Sequence, residues 1–132
     1  MWEEERADEE IIAMDPFVYR IITEADWQRT QTAATLPLSP IDERDGYIHL
    51  SSHAQALESA ALHFSERGPL ALLEFESAGF GAALRWEPVS ARNGRLFPHL
   101  YLPAIQRAAA LAHISLVREA DGSFHFGERI PL

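Results

Sequence analysis

Neither cysteine nor lysine occurs in this chain. Without cysteine there is no disulfide, no thiolate metal site and no thiol nucleophile. No apolar run approaches the roughly 20 residues of a membrane-spanning helix, so no membrane association is expected. The opening Met1-Trp2-Glu3-Glu4-Glu5 is acidic where a secretory signal is basic and then apolar. With no address in the chain, the expected compartment is the cytoplasm. Also missing are H-E-x-x-H, G-x-S-x-G and Walker motifs, and Gly79-Phe80-Gly81 lacks the third glycine of a dinucleotide-binding loop. His49 and His53 are four apart, but one belongs to a strand and the other opens a helix. No carboxylate stands at ligand spacing from them, and no metal is expected.

What remains suits one domain. The 132 residues are 47% hydrophobic and 10% aromatic, enough for a single core without staples. Charge is unevenly spread: residues 1–15 hold seven acids against Arg6, a net −6 within the chain's −9. That segment is expected to be an acidic flexible tail, dispensable for stability, with a single domain over 16–132. The negative balance argues against a nucleic-acid binder working by bulk charge. All eleven basic residues are arginines, whose planar, permanently charged forks suit phosphate or carboxylate. The same usage can equally reflect genome composition.

Along the chain, Phe17–Ile22 reads as a strand. Thr23 then caps a short helix through Trp27, with Asp26 as a weak box partner. Leu36-Pro37-Leu38-Ser39-Pro40 reads as a loop. Asp45-Gly46 is a turn before the strand Tyr47–Ser51. Ser52 and Gln55 box the start of a helix whose buried stripe is Leu57, Ala60, Ala61 and Phe64, stopped by Gly68-Pro69. Leu70–Phe75 is expected to be a central strand. Asn93-Gly94 joins Leu84–Val89 to Leu96–Leu102, and Asp121-Gly122 joins His113–Arg118 to Ser123–Phe126. Helices early and strands late predict an α+β fold, a mainly antiparallel split sheet with two or three short helices.

Alternation along Tyr47–Ser51 turns Ile48 and Leu50 to one face and Tyr47, His49 and Ser51 to the other, just ahead of a helix N-terminus, the usual receptor for phosphate. His49 is then either a ligand-site residue or a hydrogen-bonded structural histidine. Arg20, between Val18 and Ile22, must reach an edge or meet an anion. Phe97, His99 and Tyr101 share a face that suits stacking a flat ring or filling a core. Glu87 shares a face with Arg85, the pattern of a surface ion pair or of a general base.

Val18-Tyr19-Arg20-Ile21, Trp27, Asp45-Gly46-Tyr47-Ile48-His49-Leu50-Ser51 with Gln55, Leu84-Arg85-Trp86-Glu87 and Phe97-Pro98-His99-Leu100-Tyr101, in that order, resemble the family called domain of unknown function 952. The likeness runs from about Phe17 to Arg118. It implies a compact ADP-ribosyltransferase-like fold, because His49-Leu50-Ser51 before a helix is similar to the His-Leu-Ser element of RNA 2′-phosphotransferases, which use NAD. On that resemblance His49 flanks nicotinamide and Ser51 supports the strand end. Glu87 is the candidate acid of toxin-type members, and Arg20 stands where a first-strand histidine often contacts ribose. The implied function is binding of NAD or a related nucleotide phosphate, with transfer of ADP-ribose or action on a phosphorylated acceptor. Catalysis would fall to His49 and Glu87, and ligand binding to Arg20, Tyr47, Ser51, His99 and Tyr101. The alternative is a non-enzymatic ligand-sensing or protein-interaction domain on the same fold.

Overall fold

The structure, a computed structural model, describes residues 15–132. Of the expected acidic tail only Asp15 is among them, and its carboxylate accepts from the Phe17 N–H at 3.0 Å. The first strand, β1 (Phe17–Thr23), leads into α1 (Glu24–Arg29), then α2 (Pro40–Asp45), β2 (Ile48–His49) and α3 (His53–His63). Five strands follow: β3 (Leu70–Glu76), β4 (Leu84–Val89), β5 (Arg95–Leu100), β6 (Ala112–Arg118) and β7 (Phe124–Pro131). The chain is α+β. Its strands form two antiparallel sheets, ordered β1-β3-β6-β7 and β2-β5-β4. No described helix is long and apolar enough to cross a membrane.

The sheets meet at one strand. Ile48 and His49 pair with β5, while Ser51 crosses to β1, exchanging backbone hydrogen bonds of 2.8 Å with Tyr19 in both directions. The expected strand Tyr47–Ser51 is thus shared between two sheets, and its polar residues sit at the junction.

Alternation on β3 explains its burial on both faces. Ala71, Leu73 and Phe75 enter one core with Val18, Ile22, Ile48, Leu50 and Leu100. Leu70 and Leu72 enter a second with Tyr19, Ile21, Ala56 and Ala60, so α3 covers the first sheet. Each such large side chain contributes about 1.5–3 kcal/mol on leaving water. The one acid within Leu70–Phe75, Glu74, is buried but matched by the Tyr19 hydroxyl at 3.0 Å and Arg129 at 2.6 Å. The Arg129 hydrogen bond is the main cause of its lowered pKa.

Four local expectations change. Pro40, expected in a loop, opens α2: Ser39 caps it, Pro40 occupies the first turn, and the Asp42 carboxylate accepts in return from the Ser39 N–H. Proline is favoured there because its missing N–H has no helical partner anyway. Asp45-Gly46 is therefore a helix end, with Gly46 at φ 79°. Asp26 does not complete a box at α1, since its carboxylate pairs with Arg29 instead. The Ser52–Gln55 box at α3 is present as expected, as is the hairpin at Asn93-Gly94, where φ is 60° and 72°. The last strand runs on to Pro131, past the expected Phe126.

Candidate functional site

Asp42 is the hub of the site. The capping box fixes it on α2, which aims its carboxylate at the junction of the sheets, where it is 1% exposed. Arg20 meets it through Nη2 at 2.5 Å and Nη1 at 3.3 Å, and Nη1 also donates to the His49 carbonyl at 2.9 Å. An arginine within an apolar strand thus finds its anion inside the protein. Asp42 Oδ1 further accepts from the His49 backbone N–H at 3.0 Å and faces His49 Nδ1 at 2.7 Å. Burial works to raise the Asp42 pKa, but the hydrogen bonds of His49 and Arg20 and the Arg20 charge override it and hold the carboxyl far below the usual range. The Asp42 side chain is a permanent anion that orients His49.

His49 Nε2 faces Asp45 at 2.9 Å, and Asp45 also pairs with Arg44 at 2.8 Å. Both ring nitrogens of His49 therefore point at carboxylates. Both act as donors only when both carry protons. Tyr47 lies over its neighbours, 4.6 Å from the His49 ring and stacked at 4.1 Å on His99. His99 is buried, with Nδ1 on Glu87 Oε1 at 2.9 Å, and the Tyr101 hydroxyl donates to the same oxygen at 2.5 Å. These bonds, Tyr101 first, lower the Glu87 pKa.

A cleft of about 570 Å³ opens along the junction, within the range of small-molecule sites. Its lining includes four arginines (Arg20, Arg44, Arg67, Arg92), three histidines (His49, His63, His99) and two acids, Asp26 and Asp45. Arg20, Arg44 and Arg92 are paired with Asp42, Asp45 and Glu58, while Arg67 meets no carboxylate among the described residues. Arg92 stacks on Phe97 at 4.6 Å and reaches Ser59 and Glu58 across to α3. Among the described residues, no three His, Asp or Glu side chains converge as metal ligands do.

Of the residues expected at a site, Arg20, Tyr47, His49, Ser51 and His99 line this cleft. Tyr101 and Glu87 do not; they stand behind His99, Tyr101 touching Tyr47 at 5.4 Å between ring centres. The expected Glu87–Arg85 ion pair is absent among the described residues: Arg85 lies over the Tyr101 ring at 4.7 Å, and Glu87 serves His99 and Tyr101. The cleft reaches Ser51 but not Ser52, His53 or Ala54 of the first α3 turn; it runs instead along Ser59, Leu62 and His63. Sequence reasoning missed Asp42, Asp45, Arg44 and Arg92. Asp42 carried a signal, since Ser39-Pro40-Ile41-Asp42 has the spacing of a capping box.

Fold and site together define an α+β domain of two antiparallel sheets with a basic, histidine-lined cleft at their shared strand. The chain belongs to the family described as "Protein of unknown function (DUF952)", whose profile matches residues 21–113. It is similar to CC0527 from Caulobacter crescentus. The crystal structure of that protein is 34% identical, covers 83% of this chain and 93% of its own, and superposes with a TM-score of 0.73. Its solution NMR structure gives a TM-score of 0.68 over 81% of this chain and 90% of its own. No curated protein matches.

Proposed function

We propose that this domain binds a nucleotide phosphate, NAD or a close relative, in the junction cleft. The observation that carries the reading is the lining: four arginines, with Asp26 and Asp45 the only acids in the lining, beside the stacked rings of Tyr47 and His99. Cations gathered in a concave site attract phosphate, and flat side chains beside them suit a base or a nicotinamide. The resemblance of His49-Leu50-Ser51 to the NAD-using elements of ADP-ribosyltransferase-like proteins supports the same ligand. In that role Ser51 and Tyr47 shape the wall, and Arg20 keeps His49 in register through Asp42.

Transfer from NAD is the more demanding form of this proposal. It passes through a cation-like ribose, which needs a negative or strongly dipolar group facing the reacting carbon. Glu87, the acid expected for that task, stands outside the cleft and is occupied by His99 and Tyr101. That observation favours a second reading, a ligand-sensing domain without transferase activity. Thermal shift with NAD, ADP-ribose and phosphate-ended RNA tests binding, since a ligand at a hundred times its Kd stabilises by about 2.7 kcal/mol. No shift with any of them at millimolar concentration overturns the proposal. Release of nicotinamide from NAD by the same sample separates transferase from sensor.

A further inference from the structure

Of the three histidines that line the cleft, His49 and His99 lie side by side in different states of engagement, and the difference assigns a role. Both ring nitrogens of His49 face carboxylates, at 2.7 and 2.9 Å. His99 spends only Nδ1, on Glu87, which lies outside the cleft. Its Nε2 meets no hydrogen-bonding partner among the described residues, although the ring is 5% exposed and borders the cleft. A carboxylate accepts only from an N–H, so Glu87 selects the tautomer with the proton on Nδ1 and leaves the lone pair on Nε2.

We infer that His99, not Glu87, is the proton acceptor of the cleft, and that Glu87 is its positioning residue. The ligand class that follows is an anion carrying a free hydroxyl: phosphate toward the arginines, hydroxyl donating to His99 Nε2. If the hydroxyl is activated, its proton passes to Nε2 and the new imidazolium keeps its Nδ1–H on the Glu87 carboxylate, so no other group changes protonation. The groups around the ring fit this role. Tyr47 stacks on one face of His99, the His49 ring lies edge-on at 5.8 Å, and Asp45 and Glu87 supply the nearby negative charge. Burial is the largest influence and lowers the His99 pKa, against the opposing pull of Glu87, which keeps the ring neutral near pH 7.

The inference rests on the cleft being a ligand site, and nitrogen-15 NMR of the histidine rings tests it in separable steps. In the ligand-free protein near pH 7.5, His99 should show the Nδ1–H tautomer. Glu87→Leu, which can neither accept nor donate, should lose that preference, while Tyr101→Phe, which removes the other bond to Glu87, should retain it. An Nε2–H tautomer in the parent, or no change in Glu87→Leu, overturns the inference whether or not a ligand binds. AMP should then shift His99 Nε2, and its dideoxy analogue, if it binds, should not. Binding of both with equal shifts overturns the hydroxyl assignment, whereas binding of neither overturns the proposed ligand class and leaves the tautomer result standing on its own.

Discussion

Asp42→Asn removes one negative charge and no volume, so its cost isolates the charge that Arg20 and His49 share. The two side chains are 1% and 10% exposed for Asp42 and Arg20, which leaves the guanidinium little water to turn to. Breaking a buried ion pair by neutralising one partner costs about 3–5 kcal/mol. The asparagine oxygen still accepts one hydrogen bond, from Arg20 or the Ser39 N–H, which favours the lower end, about 3 kcal/mol. At about 4 °C per kcal/mol for a domain of this size, Tm should fall by roughly 12 °C. Urea unfolding followed by circular dichroism measures the free energy directly, and an unchanged slope confirms that the native state is still compact. The double variant Asp42→Leu with Arg20→Met should recover most of the loss, because an apolar pair leaves no charge unmatched. A loss below about 1 kcal/mol in Asp42→Asn would show that the cleft solvates Arg20, and the hub would be an incidental contact.

The remaining predictions concern acid, glycine and caps. Asp42 has a lowered folded pKa, so its stabilisation is full above the unfolded carboxylate range near pH 4 and is lost as pH falls below it. His99 is also lowered, so the unfolded chain takes up a proton below about pH 6.5 that the folded one resists; stability measured from pH 8 to 3 should decline in two stages. A flat profile down to pH 4 would remove the His99 component. Gly127→Ala should cost about 1–3 kcal/mol by chemical denaturation, because a Cβ there would meet the Ser115 carbonyl at 3.0 Å, a backbone atom fixed in the sheet. Ser52→Ala should cost about 1 kcal/mol through loss of the α3 capping box, and no loss would mean that the Gln55 bond to the Leu96 carbonyl holds the helix start alone.

Much of the fold was legible because it is written locally. The Ser52–Gln55 box, Asn93-Gly94 and the alternating strand Tyr47–Ser51 each carry their signal within a few residues. Helix α2 was hidden by Pro37 and Pro40, which read as loop although a proline in the first helical turn is a start signal. The site was half legible. Alternation put Tyr47, His49 and Ser51 on one face, and an arginine inside an apolar strand demanded an anion. Which anion was not readable, because Asp42 is 22 residues from Arg20 and reaches it only through the fold. For the same reason Glu87 was matched to Arg85, its neighbour on the strand, when its partners His99 and Tyr101 lie across the β4–β5 ladder.

Calorimetric titration of the parent protein and His49→Ala with NAD, and with nicotinamide riboside, which lacks the phosphates, separates a nucleotide-phosphate site from an unoccupied groove. NAD should bind the parent with an affinity that falls as salt rises, the riboside should not bind, and His49→Ala should lose the NAD signal while still folding. Equal binding of NAD and the riboside, no binding of NAD to the parent, or undiminished binding to a folded His49→Ala would contradict the assignment of this cleft to a nucleotide phosphate.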